Sequence, residues 1–411
     1  MNQHNLAAIA ATHDTPFYLY DMDAASAHYQ RLARQLPADI ELYYCVKANS
    51  NPRVLRAYLG KVSGLDVSSG GEIEIALRAG FDARSMSFAG PGKRDQELEL
   101  AVSAGVGIVS VESPHELARL SAIARQNGCR QTVTLRINPR FTGKEFPMRM
   151  GGGPSQFGIP EEDVDPVVAA AKADSQIDLA GFHIYSGTNC LEPKGILENV
   201  AQTLDIVGNL GRKHDVKLRK VNLGGGFGIP YFAGQLAMDA DALVSDIVKL
   251  ISHRKAQEPT LSDATFILEL GRFLIGPFGV YVARVVDTKE TRGKRYAIMD
   301  GGMNHCFPAT GNFGQLIKKN YPIENVSKES GSMLVSQELV GPLCTPIDSM
   351  ARALEVPRCD IGDLIAFRSC GAYAFSASPL LFLGHDTPLE LVYYDRTYAV
   401  GRPRKKANAF E

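Results

Sequence analysis

Apolar positions along the chain fall into short runs of strand length, most of them followed by a segment with helical spacing. The runs at 42–47, 64–67, 86–89, 107–111, 132–137, 179–184, 220–223 and 265–270 read as strands. Helical patterns at 52–59, 72–79, 95–103, 114–126, 164–173, 196–214 and 240–256 separate most of them. Strands alternating with helices in this way predict a (β/α)8 TIM barrel. In that fold active residues gather at the C-terminal ends of the strands, and phosphate binds after the last two.

Ahead of the barrel pattern, 16–20 (PFYLY) reads as a strand and 22–35 as a helix behind the cap Asp21. The connection 138–160 is long, rich in Gly and Pro, and without a clear element, which is the signature of a lid or substrate loop. Beyond about residue 277 the rhythm changes. Short runs at 280–287, 295–300, 333–340, 364–367 and 389–394 follow one another with turns and no long helices, predicting a mainly-β domain, barrel or sandwich. The expected division is residues 1–25 as an N-terminal strand joining the β domain, 26–276 as the barrel and 277–411 as the C-terminal β domain.

Composition narrows the class. A chain of 411 residues, 45% hydrophobic and 22% charged, suits a two-domain soluble enzyme. With a net charge of −1 and one basic block at 402–406, nucleic acid is not expected as a partner. The N-terminus carries no basic region before its short apolar run, and no stretch approaches the roughly 20 apolar residues needed to span a bilayer, so a cytoplasmic protein without membrane contact is expected. The seven cysteines are scattered without CxxC spacing, which fits reduced thiols and neither a disulfide frame nor a metal site.

The strand tips carry the chemistry. The first barrel run ends on Lys47 in YYCVKANSN, and turn-forming residues follow. A lysine there either snorkels to water or works as an amine, since desolvation favours its neutral, nucleophilic form. The second run ends near Asp66 and the sixth at His183; the seventh runs into Gly224–Gly228, and the eighth ends in Glu269, Leu270, Gly271 and Arg272. Glycines let backbone N–H groups approach an anion, and Gly271 and Arg272 add donors, together forming a phosphate cradle. An amine, a carboxylate, an imidazole and a phosphate cup at one barrel mouth is the set that pyridoxal 5'-phosphate requires.

The motifs YYCVKAN, GLDVSSGGE, FAGPGK, FHIYSGT, LGGGFG, ELGR, GPLCTPID and GAY stand in this order from end to end. In them the chain resembles the fold-type-III pyridoxal-phosphate decarboxylases, the ornithine, arginine and diaminopimelate group. The resemblance implies that Lys47 carries the cofactor and that Glu269 meets its ring nitrogen. It implies cofactor contacts from Asp66, His183, Ser186, Gly225, Gly226, Gly271, Arg272 and Tyr373. It further implies a head-to-tail homodimer in which Cys344, as proton donor, and Tyr373 enter the partner's site. MRMGGGPSQFG, GGGFGIPYF, MDGGMNH and FSASPLLFLGH resemble a subgroup outside primary metabolism, the butirosin-type glutamyl-carrier-protein decarboxylases and those of siderophore and exosortase-associated clusters.

Three departures bear on the substrate. Thr345 stands where free-diamino-acid enzymes place an acid after the cysteine, so a distal ammonium lacks its partner. The glutamate motif reads ELGR where EPGR is usual, and 308–315 reads PATGNFGQ in place of an RPALY-like carboxylate-binding segment. Arg149, Thr345 and Asp348 are the expected substrate contacts, and Arg140, Lys144 and Arg149 on the long loop could receive an acidic carrier or a carboxylate. The expected activity is removal of the α-carboxylate from an L-amino acid or a conjugated, carrier-bound one. Alternatives are a diaminopimelate- or ornithine-type decarboxylase, a racemase of the same fold, a cofactor-carrying binding protein, and a hydrolase using His183 and Glu269.

Overall fold

The computed structural model describes residues 5–141, 145–313, 318–329 and 331–410. The chain divides into two compact units. One comprises the described residues up to Ser26, Pro230–Leu236 and Ile275 onward; the other is Ala27–Ile229 with Ala237–Leu274. Residues 230–236, which the sequence pattern leaves in the barrel, thus cluster with the β unit.

The β unit opens with a helix absent from the pattern reading, α1 (Leu6–His13), whose N-cap Asn5 accepts a hydrogen bond from the Ala8 amide. Strand β1 (Phe17–Asp21) and helix α2 (Met22–Ala33) follow. The barrel unit is then built from β2 (Ile40–Cys45), β3 (Gly64–Val67), β4 (Met86–Phe88), β5 (Ile108–Val111), β6 (Gln131–Asn138), β7 (Ile177–Ile184), β8 (Lys220–Gly225) and β9 (Thr265–Leu270). All pair in parallel, and β9 returns to β2, closing the barrel. Covered on both faces, these strands are nearly continuous apolar runs. Helix starts between them are set by local chemistry: Ser69 and Ser113 each cap a helix by accepting from the amide of the glutamate three residues on.

The β unit continues with β10 (Gly279–Thr291), β11 (Lys294–Met299), β12 (Ile323–Asn325), β13 (Leu334–Val340), β14 (Ser349–Pro357), β15 (Leu364–Phe367), β16 (Leu389–Tyr394) and β17 (Thr397–Arg402). β1 lies between β10, antiparallel, and β16, parallel. The core of this sheet joins Leu6 and Ile9 of α1 to Phe17, Leu19, Val280, Val282, Leu364 and Leu391.

β14 is absent from the apolar pattern, since the MARALE at its centre consists of good helix formers. Pairing with β13 overrides that preference, with register shifts at Gln337/Leu339 and Leu339/Val340. No helix among the described residues is long and apolar enough to cross a membrane.

Candidate active site

Strand β2 stops two residues earlier than its pattern suggests. Lys47 stands in a single 3-10 turn, residues 46–48, between the buried Val46 and Ala48. From that turn its Nζ donates to Asp66 Oδ2 at 2.8 Å, and it lies 5.9 Å from the centroid of the Tyr185 ring. Asp66 is fully buried on β3, and its Oδ1 has no hydrogen-bond partner.

Opposite, Glu269 on β9 is buried and accepts from Asn222 Nδ2 of β8. Burial above all, and then the charge of Asp66, push its carboxyl up to about 8, against the pull of Lys47. His183 on β7 is held by Ser110 Oγ at Nδ1, 2.8 Å away. Burial, reinforced by the Arg136 and Lys47 charges, drives its pKa down, so the imidazole is neutral and its 3.6 Å approach to Glu269 Oε2 is no ion pair. His183 Nε2 and Ser186 Oγ are both buried with no hydrogen-bond partner.

The glycine run after β8 packs where side chains cannot. A Cβ on Gly226, at φ +82°, would sit 2.5 Å from the Gly187 carbonyl oxygen and 2.6 Å from Phe146. Gly225 adjoins the Glu269 carbonyl, Gly271 adjoins Cys45 and Ala48, and Arg272 opens the short helix Arg272–Ile275. The fold therefore gathers Lys47, Asp66, His183, Ser186, Gly225, Gly226, Glu269, Gly271 and Arg272 at the C-terminal ends of the barrel strands. Unpaired buried oxygens and nitrogens beside a side-chain-free cup fit a polar, phosphate-bearing cofactor.

Within the β unit, Cys344 is exposed and Thr345 half-buried. Tyr373 takes a left-handed backbone, φ +57°, unusual for an aromatic residue. Asp348, expected as a substrate contact, also has a structural task. It is 3% exposed, and its two carboxylate oxygens accept from the amides of Met303, at 2.6 Å, and Leu343, at 2.9 Å. It thus ties the segment after Met299 to the one that carries Cys344. On the long loop, Arg140 pairs with Glu162 and Lys144 lies outside the described residues, as do Gly314 and Gln315 of the 308–315 segment. Arg149 is exposed, and among the described residues no carboxylate pairs with it.

Asn222, Ser110, Arg136 and Glu112 escaped the sequence reading. The available signal was a lone amide or guanidinium inside an apolar strand, as in KVNLGG and TVTLRIN.

The family model described as "Pyridoxal-dependent decarboxylase, pyridoxal binding domain" matches residues 22–276. The chain belongs to the pyridoxal-dependent decarboxylases. The decarboxylase is similar to the L-glutamyl-[BtrI acyl-carrier protein] decarboxylase of Niallia circulans, 36% identical over 99% of this chain and 95% of that one. It is 35% identical to the 2-[(L-alanin-3-ylcarbamoyl)methyl]-2-hydroxybutanedioate decarboxylase of Staphylococcus aureus, over 94% and 96% of the two chains. Among solved structures it resembles diaminopimelate decarboxylase of Helicobacter pylori complexed with L-lysine, with TM-score 0.88 and 27% identity over 98% of each chain. The enzyme is accordingly a pyridoxal-phosphate-dependent carboxy-lyase with a TIM barrel and a mainly-β domain.

Proposed function

We propose that this decarboxylase removes the α-carboxylate of an amino acid presented as a conjugate, either on a carrier protein or amide-linked to a polycarboxylic acid, in secondary metabolism in the cytoplasm. The observation that carries this reading is Arg149, an exposed residue whose backbone pairs with Gly187, itself against Gly226 of the glycine cup, and to which no carboxylate is paired among the described residues. Thr345, in turn, offers no charge to a free distal ammonium. The N. circulans and S. aureus relatives, whose names specify such conjugates, point the same way.

When bound, pyridoxal phosphate supplies the sink for the electron pair left on Cα as CO2 departs. Lys47 would hold the cofactor through its amine, and Asp66, which accepts from Nζ, balances the charge while the lysine is protonated. Glu269 would keep a proton at the cofactor's ring nitrogen, and Asn222 orients that carboxyl. Neutral His183 presents a flat face without adding positive charge, and Ser110 fixes its tautomer and angle. The amides around Gly225, Gly226 and Gly271, with Ser186 and Arg272, would receive the phosphate.

We further infer a homodimer in which Cys344 and Tyr373 of each subunit serve the partner's barrel. The exposure of Cys344 in a single chain suits that role. Its thiol returns the proton to Cα, so Cys344→Ala should lower kcat about 100-fold and leave cofactor absorbance intact. Unchanged turnover in that variant would remove Cys344 from the chemistry.

The reading is tested by measuring CO2 release in parallel from free glutamate, diaminopimelate, ornithine, a glutamyl-loaded carrier protein and a citrate-conjugated diaminopropionate. A conjugate should show the highest kcat/KM. Fastest turnover of a free diamino acid would overturn the assignment.

A further inference from the structure

The loop carrying Arg149 is tied down at both ends. At its front, Met148 and Arg149 pair antiparallel with Thr188 and Gly187, and the Met150 amide donates to the Ser186 carbonyl at 2.8 Å. At its back, the Gly158 amide donates to Glu112 Oε2 at 3.0 Å. Glu112 follows β5 and is 5% exposed. Its other oxygen accepts from Arg136 Nη1 and from the Gly90 amide, each at 2.8 Å. Arg136 also lies 4.9 Å from the centroid of the Phe157 ring, so the residue next to Gly158 stacks on the guanidinium that Glu112 holds.

The approach is close. A Cβ at Gly158, φ +72°, would stand 2.9 Å from the Asn138 amide nitrogen. One buried carboxylate thus joins the tips of three barrel strands to the end of the loop. No step of the decarboxylation uses it.

We propose that Glu112 is a positioning residue, the latch that fixes the 148–158 loop and thereby holds Arg149 beside the glycine cup, where it meets the distal anionic part of the substrate. The inference rests on the reading of Arg149 as an anion receptor. It extends that reading by naming what keeps the receptor in place. A charged acceptor is required because a single group must satisfy two backbone amides and a buried guanidinium at once. An amide at this position offers one acceptor oxygen and no compensating charge.

The test uses the holoenzyme with Glu112→Gln and with Phe157→Ala. The second variant loosens the same attachment without leaving a buried charge unpaired, so it reports even where the first fails to fold. Trypsin cleavage after Arg149, followed by mass spectrometry, should be about tenfold faster in either variant. KM for a citrate-conjugated amino acid should rise about tenfold, the scale of one charge-assisted contact, while kcat changes less and cofactor absorbance holds.

Arg149→Met separates the two ideas. If it raises KM while the latch variants move neither cleavage nor KM, the latch is refuted and the anion reading stands. If the latch variants speed cleavage but Arg149→Met leaves KM unchanged, the loop anchor stands and the anion reading falls. Loss of kcat and absorbance together, with KM and cleavage unmoved, would reduce Glu112 to a folding role and overturn the proposal.

Discussion

Lys47→Ala should abolish the visible absorbance of the bound cofactor and cut decarboxylation by about 10^4-fold or more, the scale of removing a residue that bonds covalently during the reaction. The reason lies in the 3-10 turn at residues 46–48, which places the Lys47 amine against the buried Asp66, with no second lysine paired to that carboxylate among the described residues. Phosphate affinity should survive in part, because the glycine cup is built from backbone. The variant also leaves Asp66 and Glu269 facing each other without their cation. Its cofactor-free form should therefore lose stability as pH rises, by more than wild type does. A spectrum and a turnover assay on the purified variant decide the matter, and retained absorbance with full turnover would defeat the assignment of Lys47.

Glu269→Gln is expected to lower kcat/KM by about 10^2- to 10^3-fold, since a preorganised charge partner for the ring nitrogen is lost. Its effect on stability should run the other way at alkaline pH. The carboxyl of Glu269 titrates near 4.5 in the open and at about 8 in the fold, mainly because it is buried. A carboxyl whose pKa rises on folding binds its proton more tightly in the native state. Its contribution to stability is therefore full below 4.5 and is lost as pH climbs through about 8. Glutamine has no such loss and can still accept from Asn222. The melting temperature of the cofactor-stripped variant should thus fall less between pH 6 and pH 9 than that of cofactor-stripped wild type. Equal falls in both proteins would show that Glu269 is already ionised in the empty site.

The depth of this site explains why some of its residues were legible and others were not. Lys47, His183 and Glu269 end their runs, where strand periodicity and barrel chemistry both direct attention. Asn222, Ser110 and Arg136 lie inside runs, and there the same periodicity says only that they face inward. Whether an inward Asn holds Glu269 or an inward Arg holds Glu112 depends on the stagger between strands distant in sequence. Asp348 makes the same point: its acidity is plain in the sequence, but only the fold brings the amides of Met303 and Leu343 onto its carboxylate.

Local and periodic information thus determined the barrel, its strand positions, the change to a β-rich second region and the residues at the strand tips. Such features follow from spacing along the chain and from the chemistry of glycine, lysine and carboxylate, which neighbours in sequence already display. Only the tertiary structure decided that α1 and β14 exist, that Lys47 springs from a turn and not from the strand, and that Glu112 joins loop to barrel. These outcomes depend on what packs against a segment, and on which buried polar groups remain to be satisfied once the backbone has closed.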